Sequence, residues 1–127
     1  MLQRGELVTH FDVATVGGTR VRYADIWQRR NLVMVRLPVE ASAERDEYVA
    51  RLRDTIPKFA AHEAECVITV DTVSGVPGPA VVIADRWGEI VFVQPGRSIA
   101  DLPDVTDILE WLRFVQYQCP ECQGEAR

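Results

Sequence analysis

The sequence predicts an α/β domain built as a three-layer sandwich. It has a mixed central sheet, an N-terminal β-hairpin and helices on both faces. Three observations carry that reading. The runs Leu32–Leu37, Cys66–Val70 and Ala80–Ala84 are of strand length and almost unbroken in apolar character, which suits strands covered on both faces. The segment between the first two repeats its apolar residues at helical spacing, and strand–helix–strand in one sheet demands a right-handed crossover and a parallel pair. The third run meets a tight turn and a further apolar run, which makes an antiparallel hairpin.

In chain order, Val8-Thr9-His10-Phe11-Asp12-Val13-Ala14 alternates with period two, Gly17-Gly18 offers a turn that tolerates positive φ, and Thr19–Tyr23 alternates back. Asp25 is placed to cap a short helix through Ile26, Trp27 and Arg30, closed by Asn31. The strand ending at Pro38 follows. Ser42 is the expected N-cap of the long helix, with Glu44, Asp46 and Glu47 complementing the dipole in its first turns. Its stripe is Tyr48, Val49, Leu52, Ile56 and Phe59, and Pro57 should kink or restart it near the end. A proline-rich loop, Ser74–Pro79, leads to the third strand, and Asp85-Arg86-Trp87-Gly88 turns the chain into Glu89–Val93. Asp104 is placed to cap a final helix with the stripe Val105, Ile108, Leu109, Leu112 and Val115. Trp111 and Phe114 fall off that stripe, so this helix has either a wide core face or a dimer or partner surface.

Composition narrows the function classes. The chain has 127 residues, 47% hydrophobic and 26% charged, with a net charge of −5, as expected of one domain with a real core. That acidic balance speaks against a nucleic-acid or anionic-membrane surface as main partner, and Gln28-Arg29-Arg30 reads as a solvated helix end. No apolar run reaches the ~18 residues of a membrane span, and the first residues lack a signal-peptide core. Three cysteines without framework spacing suit a reducing compartment, so the expected location is cytoplasmic. We expect a domain over residues 1–118 and a tail over 119–127.

The junction residues carry a resemblance. Phe11-Asp12-Val13 with Gly17-Gly18, Tyr23-Ala24-Asp25 before the strand ending at Pro38, and the hairpin Val82–Ile90 with Asp85 and Gly88 in its turn resemble the thioredoxin-like superfamily, closest to its peroxiredoxin (AhpC/TSA, redoxin) branch. Pro79 falls where such folds often carry a cis-proline facing the active site. The family motif, Pro-x-x-x-Thr/Ser-x-x-Cys at the start of the long helix, implies a thiolate stabilised by the helix N-terminus. Pro38 matches the proline and Ser42 the Thr/Ser, but the cysteine position holds Arg45. An arginine is no nucleophile, so classical peroxidase activity is not expected. Arg45 with Arg36 is a candidate for a cationic pocket over that position.

The other chemical signal is Cys119-Pro120-Glu121-Cys122. A Cys-x-x-Cys pair closes a small disulfide ring or gives two thiolates to a metal. The motif follows a helix C-terminus, where the dipole raises thiol pKa, and Arg113 is a candidate cation should the fold bring it close. Cys-Pro-Glu-Cys-Gln-Gly also resembles a zinc knuckle, although zinc needs four ligands. Two copies in a dimer, or Cys66, His10 or His62 of the same chain, would have to complete the set. Otherwise Cys66 reads as a small buried hydrophobe, and His10 and His62 as solvated surface residues.

Two functions follow. The first is thiol–disulfide exchange through Cys119 and Cys122, without a cofactor, on a disulfide protein or small thiol. The alternative is a non-enzymatic interaction module whose Cys119 and Cys122 bind zinc, perhaps across a homodimer formed through the C-terminal helix. Inert tail thiols are the third possibility for the pair.

Overall fold

The computed structural model describes residues 1–117. The strands are β1 (Asp12–Ala14), β2 (Arg20–Arg22), β3 (Asn31–Arg36), β4 (Ala64–Thr69), β5 (Ala80–Ala84) and β6 (Ile90–Pro95). The helices are α1 (Ala43–Ala61) and α2 (Val105–Tyr117), with 3₁₀ turns at Tyr23–Asp25 and Ile99–Asp101. The main sheet has the order β4-β3-β5-β6. β3 pairs in parallel with β4 and antiparallel with β5, and β5 and β6 form an antiparallel hairpin. β1 and β2 form a separate hairpin around Gly18, whose φ of 89° needs a residue without Cβ.

The pleat of β3 and β5 divides the core. Val33, Val35, Val81 and Ile83 face one side and pack with Tyr48, Leu52 and Phe59 of α1 and Ile108, Leu112 and Val115 of α2. Leu32, Met34, Val82 and Ala84 face the other and pack with Val8, Val13, Tyr23, Ile26, Val73 and Val76. The expected three layers are present, but both α-helices lie on one face. The other face is covered by the hairpin, the Tyr23–Asp25 turn and the loop carrying Val73 and Val76. These segments form no α-helix and cover the sheet with single apolar side chains.

Local expectations were corrected at four places. The first strand pairs only over Asp12–Ala14, while Val8 bonds Gly88 O through its amide and is buried against the sheet. The short helix is only a 3₁₀ turn. Gln28 adopts φ 70° and donates its amide to Arg86 O, which breaks the helical path, and Asn31 opens β3 instead of closing a helix. Pro57 lies inside an unbroken α1. It is exposed, so the single carbonyl its ring leaves unbonded lies on the solvent side. The buried residue in that turn is Thr55, whose hydroxyl donates to Arg51 O at 2.7 Å, whereas Ile56 is 44% exposed.

Both expected caps are formed. Ser42 is extended (φ −155°, ψ 159°), and its hydroxyl oxygen accepts from the Arg45 amide at 3.0 Å. Asp104 accepts from the Thr106 amide at 3.4 Å. Replacing Ser42 with alanine is expected to cost about 1 kcal/mol, measurable by denaturant unfolding. The Asp85–Gly88 turn is held by Asp85 Oδ1, which accepts the amides of Trp87 and Glu89 at 2.9 and 3.0 Å.

Candidate functional site

Pro38 ends β3 just after Leu37, whose amide is the last to bond β4, donating to Thr69 O at 2.8 Å. The chain then crosses to Ser42 and enters α1. Arg45, in the first turn, folds its guanidinium back over that crossing. Its Nη1 donates to Pro38 O at 3.0 Å and to Val39 O at 2.8 Å. Proline, cap and arginine thus form one closed unit, in which the Arg45 cation is bonded to the loop it faces. Glu40, Glu44, Asp46 and Glu47 surround the same turn in sequence and complement the dipole, but they oppose a thiolate there.

Pro79 joins the same end of the sheet. Arg36 pairs with Ala80, so the next residues along β3 and β5 bring Leu37–Pro38 and Pro79 side by side. Pro79 O accepts the Gly96 amide at 2.9 Å. Its peptide bond is trans, as no bond among the described residues is cis. Pro38, Ser42, Arg45 and Pro79 are therefore gathered at one end of the sheet. Arg36 does not join Arg45 in a pocket. It donates Nη1 to Val76 O on the far face of the sheet, and its Nε is buried without a partner among the described residues. The two guanidinium groups are tied to different loops.

Cys66 lies in β4, half-buried beside the α-helical core layer. Burial, and secondarily the charge of Glu65, push its thiol up to about 12. At pH 8 the thiolate fraction is then about one in ten thousand, which leaves Cys66 an inert hydrophobe in ordinary conditions. His10 stacks edge-on to Tyr23 and Trp27 at 5.1 and 5.2 Å on the opposite side of the sheet, so Cys66 and His10 cannot share a metal. His62 caps the C-terminus of α1 and its carbonyl accepts from Asn31 Nδ2 at 3.0 Å. Among the described residues no group of three His, Cys, Asp or Glu side chains is arranged to hold a metal ion. Cys119 and Cys122 lie outside the described residues.

Two groups carry a pH dependence with Cys66. Tyr23 is fully buried and desolvation, then the charge of Asp85, push its hydroxyl up to about 12. Tyr48 moves the same way, chiefly by desolvation, while its hydroxyl donates to Pro103 O at 2.6 Å. All three keep their protons longer when folded, so the unfolded chain binds fewer protons at high pH. Their stabilisation is complete below about pH 9 and is lost as pH rises from 9 toward 12. Unfolding midpoints should be flat near neutrality and fall across that window. Cys66→Ala should lessen the fall at its lower end, and an unchanged slope would contradict the burial of that thiol.

The reduced 2-Cys peroxiredoxin of Plasmodium vivax superposes with a TM-score of 0.74 over 90% of this chain and 82% of its own, at 11% identity. The fold is that of the peroxiredoxins. Peroxidoxin BcpB of Mycobacterium tuberculosis matches with a TM-score of 0.71 over 91% of this chain and 99% of its own, at 16% identity. AhpC of the same organism gives 0.67 over 95% and 98%, at 12% identity. No family model and no curated protein matches the sequence. At these identities the peroxiredoxin likeness is one of fold. The thioredoxin-like fold in its peroxiredoxin form, read from the junction residues, is therefore present, with Arg45 in the first turn of α1. Sequence reasoning missed Arg4, which sits over Trp111, because no spacing links residues so far apart.

Proposed function

We propose that this chain is a peroxiredoxin-fold protein whose thiol chemistry is carried by Cys119 and Cys122 and not by the start of α1. The observation that carries this reading is Arg45, bonded to Pro38 O and Val39 O where the family's motif places a cysteine. Cys66, held as a thiol by burial, offers no substitute. In the proposed reaction the Cys119 thiolate attacks one sulfur of a partner disulfide and releases the partner's other sulfur as thiolate. Cys122, deprotonated, then attacks the Cys119 sulfur of the mixed disulfide and expels the remaining partner thiol. Two electrons pass to the partner, and the chain ends with a Cys119–Cys122 disulfide. The partner is a disulfide protein or small thiol, no cofactor is needed, and the setting is a reducing, cytoplasmic one.

The test is a single turnover of reduced, chelator-treated full-length protein with excess glutathione disulfide. Two glutathione thiols released per chain, with hydrogen peroxide consumed no faster than by a free thiol, is the expected result. No release, or rapid peroxide consumption, would overturn the proposal. A second reading, zinc held by Cys119 and Cys122 in an interaction module, draws on the knuckle-like Cys-Pro-Glu-Cys-Gln-Gly and on the exposed aromatic face of α2. Zinc bound stoichiometrically before chelation would favour it.

A further inference from the structure

The end of the sheet opposite Pro38 and Pro79 holds an open groove of about 410 Å³, lined by Arg29, Arg30, Ala60, Glu63 and Ala64. It is flanked by both non-glycine residues with positive φ among the described residues, Gln28 at 70° and Glu63 at 54°. Such strain persists only where surrounding bonds enforce it, and it gathers at binding sites. Here the Gln28 amide donates to Arg86 O at 2.7 Å, and the Asn31 amide donates to Glu63 O at 2.8 Å. The amides of Arg29 and Arg30 both donate to Ile26 O, each at 3.0 Å, which holds the two arginines as a pair. Arg30 is bonded to Glu65 at 2.8 Å, and Oε2 of Glu63 accepts from Arg86. Arg29 makes no ion pair among the described residues. The basic run therefore ends no α-helix and forms one wall of a groove.

We infer, building on the thiol–disulfide reading proposed above, that this groove holds the carboxylate-bearing part of a small peptide disulfide and presents its sulfur to Cys119. The volume suits a small molecule and not a protein surface. Arg29 and Arg30 offer planar guanidinium forks, the geometry that matches a carboxylate. Oε1 of Glu63 has no hydrogen bond among the described residues and is open to an ammonium. Two cations beside one anion fit a zwitterionic peptide better than a polyanion. Position ties the groove to the tail. Nδ2 of Asn31 donates to His62 O at 3.0 Å and to Gln116 Oε1 at 3.2 Å, so the last turn of α2 abuts the residues next to Arg30 and Glu63. Cys119 follows Gln116 by three residues, which keeps their Cα atoms within about 11 Å by any path. A tripeptide is about 10 Å long, the right size to bridge groove and thiol.

Two measurements on the reduced, chelator-treated full-length chain test it. Titration calorimetry with S-methylglutathione, which has both carboxylates and the ammonium but no thiol, reads the groove apart from the chemistry. Saturable binding with a Kd below about 1 mM is expected. Arg29→Glu should weaken it about tenfold. Arg97→Glu, the same charge reversal on an exposed residue at the other end of the sheet, should leave it unchanged. The second measurement compares glutathione disulfide with the neutral 2-hydroxyethyl disulfide as oxidants of the chain. A preference of about tenfold for glutathione disulfide, abolished by Arg29→Glu, is expected. Arg29 is exposed, and an unchanged far-ultraviolet dichroism spectrum confirms that its variant is folded. No binding of S-methylglutathione, binding indifferent to Arg29→Glu, or equal weakening by Arg97→Glu would each overturn the inference and leave the exchange reaction standing. Binding through Arg29 with neither disulfide reacting would instead keep the groove and overturn the exchange reaction.

Discussion

Cys119→Ser is expected to slow the release of glutathione from glutathione disulfide by about two orders of magnitude, since the attacking sulfur is removed and no other activated thiol replaces it. Cys122→Ser should behave differently. One glutathione leaves, and the mixed disulfide at Cys119 persists because no second thiol resolves it. Cys66→Ser should leave both steps intact, since burial pushes its thiol pKa up to about 12 and leaves it protonated near neutrality. The set therefore assigns roles and does not merely record loss. Equal and complete loss in both tail variants would mean that the two sulfurs act as one metal site or a structural ring, and the exchange mechanism would fail. Loss on Cys66→Ser would place the chemistry in β4.

Phe59→Ala is expected to destabilise the protein by about 3–5 kcal/mol. Its ring is fully buried in the layer formed by α1, α2 and the sheet, next to Leu52, Ala64 and Leu112 in the same cluster. Removing it leaves a cavity in the last turn of α1, beyond Pro57, where the helix has already lost one backbone bond and is least able to relax inward. Ile56→Ala, one turn face away and 44% exposed, should cost within about 0.5 kcal/mol. Denaturant unfolding of the two variants side by side measures this. Equal effects would mean that the stripe read from the sequence, with Ile56 inward, is the true one.

That contrast marks where the sequence was legible. Uninterrupted apolar runs located β3, β4 and β5, because strands buried on both faces leave no room for polar residues. Gly18 and the Asp85–Gly88 turn were readable because positive φ and side-chain-bonded turns need particular residues. The cap at Ser42 was readable for the same local reason. Thr55 was not, because a hydroxyl that bonds its own helix backbone packs like an apolar group and no hydropathy pattern records that. The short helix before β3 failed because the deciding bond, Gln28 to Arg86, joins residues distant in the chain. Placing both α-helices on one face likewise depends on which segments cover the other.

The candidate site divides in the same way. The motif gave Pro38, Ser42 and Arg45 and the fold resemblance gave Pro79, and their common location at one end of the sheet follows from the register of β3 and β5. What Arg45 does there was not readable, since a guanidinium that closes a loop and one that awaits an anion have the same sequence. Its bonds to Pro38 O and Val39 O decide between them. Arg4 over Trp111 of α2 was equally silent, because the contact spans nearly the whole described chain.

In the proposed mechanism Cys119 and Cys122 are the working thiols. Equilibrating the full-length protein across a series of glutathione and glutathione disulfide ratios, trapping free thiols with iodoacetamide and mapping the peptides by mass spectrometry tests it most directly. A Cys119–Cys122 disulfide is expected to form and break within that series, while Cys66 remains a reduced thiol throughout. Cys119 and Cys122 that stay fully reduced or fully oxidised at every ratio would contradict it.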